Sequence, residues 1–128
     1  MKASADTPVA NRTFVALGIE HLKAAVRYGR LGKRAFFDDA NPIVFVAVES
    51  ELRKAYESLN RLGQSVRRAN PSLPFDRIAE IRQVLTHDDA AVDREDVWKI
   101  VTQEAPTLLR RLERAKLPKK GASPPPVP

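Results

Sequence analysis

The chain has 128 residues, 43% apolar and 30% charged, with 22 Lys and Arg against 16 Asp and Glu and a formal net charge of +6. That length points to one domain and leaves little apolar material for a second core. The absence of cysteine excludes disulfides, Cys-based metal sites and a thiol nucleophile, and no apolar run approaches the ~18 residues of a membrane span.

The opening MKASADTPVANRT has no apolar core of the kind a secretory signal carries, so a cytoplasmic location is the default expectation. Residues 1–11 read as a loose leader. The positive charge balance suits RNA, DNA or an acidic partner protein.

A first helix is expected from about Thr13. Val15, Ile19, Leu22 and Val26 follow a 4-3-4 spacing that places them on one face. Gly29 and Gly32 weaken the helix at its end. Asn41-Pro42 then supplies a helix start, with Asn41 as cap and Pro42 at the first helical position. From there Phe45, Val48, Leu52, Ala55, Leu59, Leu62 and Val66 recur at steps of three and four. This seam should pack against another helix or a partner subunit.

The proline-containing Asn70-Pro71-Ser72-Leu73-Pro74 ends that pattern. A short helix follows over 75–85, with Phe75, Ile78 and Leu85 inward. His87 to Val92 reads as a loop. Asp93 is the expected N-cap of the next helix, with Asp96 where an acidic side chain suits the first turn. Pro106 should kink that helix or begin a new one, continued by Leu108, Leu109 and Leu112. No strand-like alternation appears, so four or five helices are expected. The Pro-rich end, LPKKGASPPPVP, cannot form a regular helix.

Chemistry points to Arg82 and His87, in IRQVLTH. Five positions along a helix is about 500° of rotation, which offsets the two side chains yet lets them flank one groove. Histidine moves a proton near neutral pH. Arginine directs donors at phosphoryl oxygens. RNA carries its own nucleophile, the 2′-hydroxyl, so neither a metal nor a cofactor is required. Alone, an Arg and a His at this spacing carry almost no information, and a surface arginine with a histidine packed at a helix end is the ordinary reading.

The surrounding pattern resembles the HepT-like (DUF86) family of HEPN-domain proteins. Ala47 to Ile78 is similar to the family's long amphipathic helix, proline-containing turn and aromatic-led short helix. Arg82-Gln83-Val84-Leu85-Thr86-His87 fits its R-x4-H signature. Val92-Asp93, Val97-Trp98-Lys99-Ile100-Val101 and Pro106 resemble the segment in which a VD pair precedes a VW-centred helix and a later LP step, with Ala105 in place of that leucine.

The resemblance implies an all-α, HEPN-type antiparallel helical bundle over residues 12–115; the proline- and lysine-rich composition of 116–128 makes that stretch an expected flexible basic tail. It implies Arg82 and His87 as the catalytic pair of a metal-independent endoribonuclease toxin. It also implies a homodimer whose two motifs share a cleft. The expected partner is a small nucleotidyltransferase antitoxin that attaches AMP to a tyrosine two residues after the motif histidine.

Two positions depart from that pattern. Gln83 stands where many members have Asn, and it remains a polar amide able to orient a phosphate or the histidine. Asp89 stands at the modified tyrosine's position, and a carboxylate cannot act as the same phenolic acceptor. Neutralisation by direct binding is the alternative. Asp88 and Asp89 would favour imidazolium at His87, or would repel substrate; loop composition and capping account for them as well. A HEPN-fold binding protein without cleavage activity is therefore the second functional reading, and nucleotide binding without turnover a third.

Arg67, Arg68 and Arg77 flank the proline turn. With Arg82 they would make a positive rim for RNA, though ordinary surface charge explains them equally. His21 and Trp98 are expected to pack rather than to bind metal or base. No Gly-rich phosphate loop, H-E-x-x-H helix or zinc-finger spacing is present.

Overall fold

A computed structural model describes residues 6–86 and 93–117. Among these residues the chain is helical throughout its regular structure, with seven α-helices and one π-helical turn. None of the described helices is long and apolar enough to cross a membrane.

Helix α1 spans Pro8–Gly29. It begins five residues earlier than the apolar periodicity suggests. Thr7 is the reason: its hydroxyl accepts from the Ala10 N–H at 3.1 Å, and Pro8 occupies the first turn, where a missing N–H costs nothing. Part of the expected loose leader is thus ordered. The fully buried Asn11 explains how that first turn is anchored. Its amide donates to Asp6 Oδ1 at 2.8 Å, and its carbonyl oxygen accepts from the Gly63 N–H at 3.0 Å. Asp6 in turn accepts from both the hydroxyl and the N–H of Ser65. The clamp ties the start of α1 to the far end of the following hairpin.

After α1 the chain turns through Gly32, whose φ of 108° lies in the left-handed region that favours glycine. A single-turn helix, α2 (Lys33–Phe36), follows without a periodic signal in the sequence. It exists because Phe36 is fully buried, edge-on to Phe37 and Phe45 and 4.9 Å from the Trp98 ring. Trp98 is accordingly an aromatic packing element.

Helix α3 (Ile43–Leu59) starts one residue beyond the expected first position, and Asn41 does not cap it. Asp38 instead takes the N–H groups of Ala40 and Asn41, at 3.0 and 3.2 Å. Of the long apolar seam, Val48, Leu52, Ala55, Leu59, Leu62 and Val66 are all buried, yet the helix does not run through them. It stops at Leu59 and resumes as α4 (Gln64–Ala69). Gly63 weakens the helix there, the Leu62 N–H bonds to Leu59 O at 3.2 Å, and the Arg67 side chain donates to the carbonyls of Leu62 and Asn60 at 2.9 and 3.2 Å. Inward periodicity survives the break because Leu62 and Val66 bury the same apolar surface in either geometry.

Helices α1 and α3 are antiparallel. Asn11 meets Gly63, Gly18 meets Leu59, and His21 Nδ1 meets Glu51 Oε1 at 2.7 Å. A Cβ at Gly18 would fall 2.7 Å from Leu59 Cγ, so glycine there sets the closeness of the two rods. His21 is thereby an interhelical contact, and the described residues contain no cluster able to hold a metal ion.

Asn70 organises the proline turn. Its amide donates to Val66 O and Lys116 O at 2.8 and 3.0 Å, and its oxygen accepts from the Lys116 N–H at 2.8 Å. Lys116, the first residue of the expected tail, is therefore pinned, and Leu117 packs against the core; residues 118–128 lie outside the described residues. Helix α5 (Phe75–Thr86) turns Ile78, Ile81 and Leu85 inward, with Phe75 partly buried.

Helix α6 (Arg94–Lys99) is capped as expected, Asp93 Oδ1 accepting from the Glu95 N–H at 2.9 Å. It continues through a π-helical turn (Ile100–Glu104) into α7 (Ala105–Glu113). Pro106 can neither donate nor accept a close carbonyl one turn earlier. The wider π turn, closed by the Ala105 N–H on Ile100 O, absorbs that defect without ending the rod. Four long rods, α1, α3, α5 and α6–π–α7, thus enclose one core, with α2 and α4 as short connectors.

Candidate active site

The inward positions of α5 decide where its polar residues go. With Ile78, Ile81 and Leu85 facing the core, Arg82 stands on the flank of the buried stripe, about 100° around the helix from Ile81. Its side chain is half-buried, and among the described residues none gives its guanidinium a hydrogen bond or an ion pair. Gln83 is exposed beside it. The last turn is closed locally, Thr86 Oγ1 donating to Arg82 O at 2.9 Å.

His87, Asp88 and Asp89 lie outside the described residues. The chain on their far side is firmly held. Arg94 pairs with Asp39 Oδ1 at 3.0 Å, and its guanidinium lies 4.6 Å from the centre of the Phe45 ring. The Asp93 cap fixes the re-entry point.

The other arginines are not grouped around Arg82. Arg77 is a little over one turn earlier, about 140° away around the helix. It forms a two-point bridge to Glu104 of the π turn, both contacts at 2.7 Å, and a further pair with Glu80. The hydrogen bonds it donates to these two carboxylates, Glu104 foremost, hold its guanidinium well above the usual range. Arg67 is turned back onto backbone carbonyls and stacks 4.9 Å over Phe75. Arg68 is exposed on α4, on the side of the Asp6 clamp. Sequence reasoning missed the Arg77–Glu104 bridge, because the two residues are 27 positions apart and no local pattern couples them.

A model of the family described as "Ribonuclease HepT-like" matches residues 19–115. The match covers most of the chain, and the chain belongs to this family of HepT-like ribonucleases. Its all-helical architecture is that of a HEPN-type bundle. The matched span includes Arg82 and His87 and ends within two residues of the Asn70–Lys116 lock. Neither the comparison with curated proteins nor that with solved structures gave a match.

Proposed function

We propose that the protein is a metal-independent endoribonuclease, the toxin of a cytoplasmic toxin–antitoxin pair, acting as a homodimer. The observation that carries this reading is Arg82. A partly buried arginine whose guanidinium has no partner among the described residues, inside a ribonuclease-family match, is available for an RNA phosphate.

In this reading the RNA 2′-hydroxyl attacks the adjacent phosphorus and the 5′-oxygen leaves, so no bound nucleophile is needed. Arg82 donates to the non-bridging oxygens as charge builds there. The 2′-hydroxyl loses a proton and the departing 5′-oxygen gains one, leaving a 2′,3′-cyclic phosphate and a 5′-hydroxyl; His87 carries one of these transfers and solvent water the other. Gln83, exposed one residue on, would orient the phosphate. Arg68, exposed beside the Asp6 carboxylate, offers a charge for more distant phosphates, whereas Arg77 and Arg67 contribute less because both guanidiniums are already hydrogen-bonded.

The antitoxin in this reading is a small nucleotidyltransferase. With Asp89 at the position of the modified tyrosine, neutralisation proceeds by direct binding. Asp88 and Asp89 beside His87 also support the second reading, a HEPN-fold protein that binds the nucleotidyltransferase without cleaving RNA.

The test is incubation of the purified protein with total RNA in EDTA beside His87→Ala. Cleavage by the wild type alone is expected. Cleavage retained in folded His87→Ala would remove the assignment of that residue, and no cleavage by partner-free wild type would favour the binding protein.

A further inference from the structure

A second, separate feature lies between α5 and α7. A cleft of about 250 Å³ opens there, walled by Ile78 and Ile81 on one side and Leu108 on the other, with Tyr56 of α3 at its base. Tyr56 is only 1% exposed, lines the cleft, and has no hydrogen-bond partner for its hydroxyl among the described residues. The hydroxyl oxygen is not sealed from solvent, so it opens onto the cleft and is available to an occupant. Burial, and then the Glu104 carboxylate, raise the Tyr56 pKa above its ordinary value, so the hydroxyl remains neutral, one donor and one acceptor.

The rim narrows the class of ligand. Arg77 is neutralised by Glu104 and Glu80, and Arg111 donates to Ser72 O at 3.2 Å. Arg111 keeps its charge, and with Arg77 it stands against the two carboxylates of Glu104 and Glu80, so the mouth carries little net charge. Gln103 and Thr107 add uncharged polar groups. The volume falls below the ~300 Å³ at which drug-sized pockets begin, which suits one or two rings. Apolar walls on facing helices favour a flat molecule, and the Tyr56 hydroxyl favours one with a donor and an acceptor on its edge.

We infer that this cleft binds a nucleobase, its ring between the α5 and α7 side chains and its polar edge on the Tyr56 hydroxyl. The base comes from a free nucleoside or from an unstacked residue of single-stranded RNA, and the inference does not rest on cleavage.

The experiment is a titration of the full-length protein, followed by the NMR methyl signals of Ile78, Ile81 and Leu108, against the four ribonucleosides and a short single-stranded RNA. Tyr56→Phe is titrated in parallel. Because the hydroxyl has no internal partner, this variant should fold as well as the wild type. Loss of one buried hydrogen bond should weaken binding about five- to tenfold. Nucleoside binding weakened by Tyr56→Phe supports a free-ligand source. Weakening confined to the RNA arm supports an RNA base. Either result leaves the assignment of Arg82 and His87 untouched. Unmoved methyl signals at 10 mM nucleoside and saturating RNA would show that the cleft holds water only and overturn the inference, as would equal affinity in Tyr56→Phe.

Discussion

Arg82→Ala separates the chemistry of α5 from its folding. The side chain has no polar partner among the described residues, so truncation breaks no bond and leaves no buried group unsatisfied. Only the packing of its half-buried stem is lost, and the stability change should stay within about 1 kcal/mol. If its donors meet charge that develops in the transition state, their removal should lower cleavage about 10²–10³-fold, or about 2.7–4 kcal/mol of barrier. The assay is single-turnover cleavage of a fixed RNA in EDTA, with urea unfolding of the same preparations. Arg34→Ala is the control, since it removes an equal charge from an exposed position on α2. It should change the rate less than threefold and act through salt-sensitive attraction. Arg82→Ala cleaving within threefold of wild type would refute the role. An equal loss in Arg34→Ala would show that bulk charge, not a directed contact, drives the reaction.

Asn11→Ala should cost about 2–4 kcal/mol in urea unfolding at unchanged slope, because it strands the Gly63 N–H and opens a fully buried site; a loss under 0.5 kcal/mol would mean that the clamp adds nothing. Gly18→Ala should cost about 1–3 kcal/mol, since the new methyl meets the buried Leu59 side chain, and a neutral result would show that the two helices separate freely. Asp6 is held below its ordinary pKa by the Ser65 hydroxyl first, then by Asn11 and the Ser65 N–H. Its contribution is therefore present above the unfolded value near 3.8 and is lost as pH falls through the lowered folded value. Wild type should exceed Asp6→Asn in unfolding midpoint at pH 7, with the gap closing in strong acid; a gap that persists there would contradict the carboxylate's role.

Periodicity made most of the bundle legible. The positions Val48 through Val66 bury as their spacing requires, and α5 turns Ile78 and Leu85 inward. The R-x4-H motif and its neighbours carried the family, because they are short, ordered and local. Capping chemistry placed α6 at Asp93, and Pro106 marked the disturbance in the last rod.

Other features had no local signal. The break at Gly63 and the early start of α1 depend on each other through Asn11 and Asp6, more than fifty positions from Gly63 and Ser65. Helix α2 exists for one side chain, Phe36, whose aromatic partners come from α3 and α6 as well as from its own neighbour. Charge count suggested a positive rim of arginines. The tertiary structure instead commits Arg77 to Glu104 and Arg67 to backbone carbonyls, leaving Arg82 without such a partner among the described residues. An apolar face follows from one residue's spacing to the next. The availability of a charge follows from which groups the fold brings within hydrogen-bonding distance, and those come from anywhere in the chain.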